Sequence, residues 1–371
     1  MAKTPTVYDV AEHAGVSIAT VSRVLRLPDA VRPATRDRVH AAIAALGYVP
    51  SGSARGLAER RTGVLGLYFP GFDAVDEVLD FDALAGDASP APPFTVAREP
   101  EDAAGPEDAQ GSMLFMDEVL RGAELEAWRQ GFVLMVGVGR DDPVRSTVRD
   151  MAGRVDGLVV LASSVPDDEL DHLAQRIPVV VLSGPAHGDR FDHVTVSNTE
   201  AMAELTRHVL ARTGGRAPAY VAGPADSPDS AERWTGFARA VADAGIAIDE
   251  VRVLRGDFTR ASGRRVADEL RASGLPPALM SSNDQMALGA LDGFRDAGIR
   301  VPEDLVVTGF DGIDAAAHAS PRLTTVRQPM IELGRAAVQV LARRLEDRDA
   351  APMSVRLPVE IVLRASSLPP A

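Results

Sequence analysis

The chain has no cysteine, which excludes disulfides, thiolate zinc sites and a cysteine nucleophile together. No apolar run approaches the ~20 residues that span a bilayer, and Met1 to Val10 hold no hydrophobic segment of the signal-peptide kind. The expected location is therefore the cytoplasm, with no membrane partner. Catalytic vocabulary is missing too. The seven histidines form no HExxH pair, Gly15-Val16-Ser17-Ile18-Ala19 departs from a nucleophile elbow at its last position, and nothing matches a phosphate-binding GxxxxGK. Gly137 and Gly139 begin a dinucleotide-like pattern, but Asp142 stands where the third glycine belongs. His187 and His193 are expected on loop surface rather than around a metal. No enzyme activity, cofactor or metal site is expected.

At 371 residues the chain exceeds one typical core, so two or three domains are expected, and its ordinary apolar and charged fractions make them globular. The formal net charge of −14 argues against nucleic acid as a partner only if it is spread evenly. It is not. Residues 1–61 hold nine Lys/Arg against five Asp/Glu, about +4, which leaves thirty against forty-eight, −18, for the remainder. A basic end on an acidic body is a compact electrostatic footprint for nucleic acid. Lys3 is the only lysine in that end, so phosphate contacts fall to arginine, backbone amides and hydroxyls.

Within the basic end, Val7, Val10, Ala11 and Ala14 fall at helical spacing on one face, and Gly15-Val16 break the helix. Ser17 can then cap a second helix whose inward face is Val21, Val24 and Leu25. Two short helices on a tight turn can be core and nothing more, or a helix-turn-helix that lays its second helix in the DNA major groove. The outward face of that second helix, Ser17, Ile18, Ala19, Thr20, Ser22, Arg23 and Arg26, is small, hydroxylated or cationic, as groove reading requires. After the loop Leu27 to Ala30, Pro33 suits the first turn of a third helix with the stripe Val39, Ile43 and Leu46, ended by Gly47.

The wording is more specific than the pattern. Tyr8-Asp9-Val10-Ala11, Ala14-Gly15-Val16-Ser17 and Ala19-Thr20-Val21-Ser22-Arg23-Val24-Leu25 closely resemble the DNA-binding headpiece of the lactose-repressor (LacI/GalR) family. The resemblance implies DNA contacts at Thr6, Tyr8, Ser17, Ile18, Ala19, Thr20, Ser22, Arg23, Arg26, Thr35 and Tyr48. It also implies a hinge helix over 51–61 that brings Ala54 and Leu57 to the minor groove, Leu57 as an apolar wedge. Two positions depart from the family pattern. Arg32 stands at a usual capping serine and Arg26 at a usual asparagine, so the third helix loses its side-chain cap while two cations are added, as phosphate contacts or as solvated surface.

From Thr62 the character changes to β-rich apolar runs alternating with helical stretches: 63–69, 131–136, 156–161 and 178–182, then 219–223, 251–254, 278–282 and 305–310. Runs apolar on both faces indicate parallel strands buried between helix layers. The expected fold class is α/β: an all-α headpiece at 1–50, the hinge, and a two-subdomain core like periplasmic binding proteins with parallel sheets. The first subdomain is expected from 62–196 and 328–350, the second from 197–327 and 351–371. Residues 71–110 break the rhythm with eleven acids against Arg98 alone and five prolines, and are expected as an acidic insertion, with an acidic docking patch as the alternative.

Two tandem α/β subdomains make a cleft for a small ligand. Ser230 to Phe237, Ser282 to Gly289 and Val307 to Asp311 resemble the family's effector-site segments. The resemblance implies that Arg233, Asn283 and Asp311 hydrogen-bond the effector and that Phe258 faces a sugar ring. Arg233 and Asp311 can also be a structural ion pair, and Phe258 plain core. Leu323 to Pro329 resembles the family's crossing strand and Leu357 to Arg364 its last strand. The expectation is a homodimeric transcriptional regulator, by default a repressor, that binds near-palindromic double-stranded operator DNA under control of a small-molecule effector, a carbohydrate or related metabolite. The alternative is a cytoplasmic sugar-binding protein that does not bind DNA.

Overall fold

The computed structural model describes residues 5–26, 28–48, 61–71, 113–139, 144–184 and 190–368. It divides into two compact units, Met1–Gly63 and Val64–Ala371. In the first, helix α1 (Val7–Ala14) starts at a capping box, where Thr6 and Asp9 each bind the other's amide, and ends at Gly15 in the left-handed conformation at φ 62°. Helices α2 (Ile18–Arg26) and α3 (Pro33–Leu46) follow, separated by a 3-10 turn at Pro28–Ala30. Val10, Ala11, Ala14, Val21, Val24, Val39 and Ala42 form the buried core of this unit. Arg32 precedes α3 without a side-chain cap, and Pro33 fills the first helical position, where no amide partner is needed.

The second unit holds two sheets. Strands β1 (Val64–Pro70), β2 (Val133–Gly139), β3 (Gly157–Leu161), β4 (Val179–Leu182), β5 (Asp192–Val196) and β11 (Ser354–Leu357) form a parallel sheet in the order β11-β5-β4-β3-β1-β2. Helices α4 (Met113–Arg129) and α12 (Met330–Glu346) cover one face, and α5 (Val144–Ala152) and α6 (Asp167–Ala174) cover the other. Strands β6 (Ala219–Ala222), β7 (Val253–Arg255), β8 (Ala278–Ser281) and β9 (Val306–Thr308) form a second parallel sheet, β7-β6-β8-β9. It lies between helices α7 (Asn198–Arg212) and α8 (Pro228–Asp243) and helices α9 (Arg260–Ser273) and α10 (Asp284–Asp296). The short α11 (Asp314–His318) follows β9. Side chains alternate across each strand, so Leu65 and Leu67 face α4 and α12 while Tyr68 turns to α5 and α6.

The chain crosses between the sheets at Ser197, at 325–329 and at 358–360. At the last two, β10 (Thr325–Arg327) and β12 (Glu360–Val362) pair antiparallel. This corrects two expectations. Residues 351–371 do not all belong with the second sheet, because β11 adds to the first beside β5, with Val355 opposite Val194. The segment 357–364 is not one strand either: Leu357 ends β11, and β12 starts only after Pro358, which has no amide to continue a ladder. Strand β2, expected to be buried on both faces, is an edge strand with Val133 and Val136 exposed. Nearly all of the hinge 51–61 and of the acidic segment 71–110 lies outside the described residues.

Candidate DNA-binding face and effector cleft

Alternation of buried and exposed positions along α2 decides what the first unit presents. Val21 and Val24 enter the core, which leaves Ser17, Ile18, Ala19 and Arg23 exposed and Thr20 and Ser22 half-buried. Ser17 accepts the Thr20 amide at 3.2 Å, and the two hydroxyls lie 2.9 Å apart, so this pair caps the helix while standing on its outer face. Tyr8 is 68% exposed. Thr6 spends its hydroxyl on Asp9 at 2.6 Å, which leaves an oxygen lone pair and the exposed position for any other role. Thr35 is half-buried in the first turn of α3, and Tyr48 packs against the headpiece core. Arg26 closes α2; Ala54 and Leu57 lie outside the described residues.

In both sheets of the second unit the strand order reverses beside a central strand, between β1 and β3 and between β6 and β8. Crevices open at the carboxyl ends of strands at such points. Pro70 and Leu161 end β1 and β3, Pro224 and Asn283 follow β6 and β8, and all four line one cleft of about 440 Å³. That volume suits a small metabolite. Phe115, Met116, Phe258 and Ile313 give it apolar walls.

Arg233, on α8, is 5% exposed and donates from Nε to Asn198 Oδ1 at 3.0 Å and from one terminal nitrogen to the Ser282 carbonyl at 2.6 Å and Asp311 Oδ1 at 3.2 Å. Its guanidinium lies 4.0 Å from the centroid of the Phe310 ring, a cation–π contact. Gln328, in the 325–329 crossing, donates to the same Asp311 oxygen at 2.8 Å. Arg233 and Asp311 are thus paired and still line the cleft: among the described residues neither the second terminal nitrogen of Arg233 nor Asp311 Oδ2 has a protein partner. Burial pushes the Asp311 carboxyl above the usual range and Arg233 pulls it back. Asp284, fully buried behind it, is raised by burial and by the Asp311 charge, and is held by Thr325 and the amides of Gly312 and Ile313.

Asn283 also lines the cleft, but most of its side chain is committed. Oδ1 accepts the Met286 amide at 3.0 Å as the cap of α10, and Nδ2 donates to the Phe258 carbonyl at 3.0 Å. Phe258 is half-buried, and its ring rests on the bare Cα of Gly223, where any Cβ would overlap it. The non-glycine residues with positive φ among those described are Ser163 (63°), Ser183 (67°), Phe258 (69°) and Asp311 (128°). Three line the cleft, and the fourth precedes Gly184, whose amide binds the cleft residue Asp229 at 3.1 Å. Strained backbone persists where neighbours over-determine it, and here it collects around one cavity. Asn198, Asp229 and Gln328 were not anticipated from the sequence; Asn198 stands 35 positions from Arg233 with no local motif to join them. His193, expected on loop surface, is buried in β5 with Nε2 3.0 Å from the Ser183 carbonyl, and His187 lies outside the described residues. Among the described residues no cluster of His, Cys, Asp or Glu could hold a metal ion, and no helix is long and apolar enough to cross a membrane.

Residues 6–51 match the family model described as bacterial regulatory proteins, lacI family, and residues 208–367 match a periplasmic binding protein-like domain. The sequence is 31% identical to the HTH-type transcriptional repressor PurR of Aliivibrio fischeri (strain MJ11), covering 98% of each chain. A solved structure of the Lac repressor dimer bound to operator and the anti-inducer ONPF superposes with a TM-score of 0.78 at 25% identity, over 99% of this chain and 100% of that one. A complex of the transcriptional regulator CelR with cellobiose gives 0.65 at 31% identity, over 98% and 99%.

Proposed function

The chain belongs to the lacI family of bacterial regulatory proteins, and on that premise we propose how its parts divide the work of a ligand-regulated, DNA-binding transcriptional repressor. It acts as a homodimer on double-stranded operator DNA, in the cytoplasm and without enzymatic activity. Ser17, Ile18, Ala19, Thr20, Ser22 and Arg23 face base edges; Thr6, Tyr8, Arg26, Thr35 and Tyr48 hold the phosphate backbone on either side; Ala54 and Leu57 reach the minor groove. The effector is a carbohydrate or related metabolite. Arg233 and Asp311 hydrogen-bond its hydroxyls, Phe258 covers its ring, and Asn283 contributes its one free N–H while fixing Phe258.

One observation carries the coupling. Asp311 touches the cleft and, through Gln328 and the backbone bond from the Gln328 amide at 2.9 Å, grips a segment that crosses between the sheets. A ligand that takes up Asp311 Oδ2 while touching Ser163, Ser164 or Phe115 on the opposite wall favours one angle between the walls over others. Operator affinity then follows the differential affinity of the ligand for those states. The test is selection of bound duplexes from a random pool by the full chain, repeated with candidate sugars. Enrichment of a near-palindromic site whose retention changes with one sugar supports the assignment. A pool that stays random removes it.

A further inference from the structure

The charge lining the cleft narrows the effector class. Among the described residues four carboxylates border the cavity, Asp226, Asp229, Asp257 and Asp311, against one cation, Arg233. Arg233 keeps one terminal nitrogen for a ligand, but its charge is already matched by Asp311. Its bonds to Asp311, Ser282 and Asn198 and the Phe310 ring beneath it make it chiefly an internal counter-charge, which leaves a neutral donor's role rather than a free positive charge for the ligand. Burial works against the Asp257 charge, but hydrogen bonds from Thr259, then Ser262 and Arg265, outweigh it and hold the carboxyl down at about 2, so it lines the cleft ionised. Asp229 accepts the Gly184 amide at 3.1 Å and Asn198 Nδ2 at 2.8 Å, both neutral donors, and has no cation within salt-bridge distance among the described residues. Asp226 is exposed at the rim with no partner among the described residues.

The same residues set the hydrogen-bond balance. Asp311 Oδ2, the second oxygen of Asp229 and the Asp226 carboxylate all accept and none donates. A ligand rich in O–H or N–H donors satisfies them, whereas a phosphate offers only acceptors and two more negative charges. We infer that the effector is an unphosphorylated, donor-rich polyhydroxylated ring, a free sugar or neutral glycoside, and that the cleft rejects the phosphorylated form of the same sugar. This rests on the reading of the cleft as a carbohydrate site.

The experiment is calorimetric titration of the full chain with matched pairs: glucose and glucose 6-phosphate, ribose and ribose 5-phosphate, cellobiose and 6-phosphocellobiose, with glucosamine as a cationic arm. In any pair that binds, the phosphorylated member should be weaker by at least ~10-fold at low salt, and the gap should shrink as salt screens the rim. Asp226→Lys should narrow the gap further by placing a cation at the mouth. A phosphorylated member that binds as tightly as its parent, or a gap indifferent to salt, overturns the inference. Glucosamine binding with no neutral sugar binding overturns the neutral assignment in favour of a cationic effector. Heat from no member of any pair, with operator binding intact, overturns the carbohydrate reading itself and the inference with it.

Discussion

Replacing Arg233 by methionine should destabilise the second unit by about 4 kcal/mol near neutral pH, and the loss should depend on pH. Removing one partner of a buried ion pair costs ~3–5 kcal/mol because the other charge stays buried and uncompensated. Here the orphan is Asp311, 8% exposed, with Asp284 fully buried nearby. Gln328 still donates to Asp311, which lessens the loss, but the Ser282 carbonyl and Asn198 Oδ1 each lose a donor, which adds to it. At roughly 2 °C per kcal/mol for a domain of this size, the full chain should melt ~8 °C lower at pH 8 by scanning calorimetry. Burial raises the Asp311 carboxyl already in the parent, and Arg233 opposes that rise, so the variant lifts it further. A carboxyl raised on folding costs stability while it is ionised, and regains it as pH falls through the raised value. The gap between parent and variant should therefore be distinctly smaller at pH 5.5 than at pH 8, and Arg233→Met combined with Asp311→Asn should recover part of the loss at pH 8. An equal gap at both pH values would refute the pairing argument.

Three further outcomes follow from the same geometry. Arg23→Ala should cost ~1–3 kcal/mol on the best operator and relax one position per half-site in fluorescence-anisotropy titrations, whereas a uniform loss over all sequences would make Arg23 a phosphate contact. Glu126, buried between α4 and α12, is held at about 2 by Arg129 first, with Gln130 and Gln339 assisting. Its contribution is thus present above the unfolded carboxyl range and lost as pH falls toward 2; urea titrations should show the parent's advantage over Glu126→Gln fading between pH 5 and 3, and a constant advantage would contradict the buried pair. Gly334 on α12 lies so close to α4 that a Cβ would overlap the Val119 carbonyl. Gly334→Ala should cost ~1–3 kcal/mol by overpacking, and an unchanged melting temperature would mean the helices do not cross that closely.

Much of the fold was legible because its strands are apolar on both faces. Val179 to Leu182 or Ala278 to Ser281 can hardly be anything but buried strand. β5 escaped notice for the opposite reason. Asp192, His193 and Thr195 are polar yet buried, and Asp192 is tolerated there because Arg344 donates to it at 2.7 Å and 2.8 Å and the Met353 amide at 2.9 Å. Those partners lie about 150 residues away in sequence, where no local pattern connects them. β11 was misplaced because sequence adjacency to β12 said nothing of which sheet would receive it. In the cleft, Arg233, Asn283, Asp311 and Phe258 were legible as motif words. The committed bonds of Asn283 and the tie from Gln328 were not, since they depend on which atoms face each other and not on which residues occur.

The placement of β11 and α12 in the first sheet's layers has a consequence during synthesis. A ribosome that has released residues 64–196 has delivered five of the six strands of that sheet, but neither its edge strand nor the helix that covers one face. Glu126 must wait for Arg335, 209 residues downstream, and β5 for Ser354 to Leu357. Meanwhile the nascent chain exposes Leu65, Leu67, Val119 and Ala123, the surface that Leu333, Ala337 and Leu341 later cover. The second sheet, whose four strands lie between 219 and 308, can close before the first. The part translated earlier is therefore completed later, and chaperone demand should peak while the stretch from about 200 to 330 is being made.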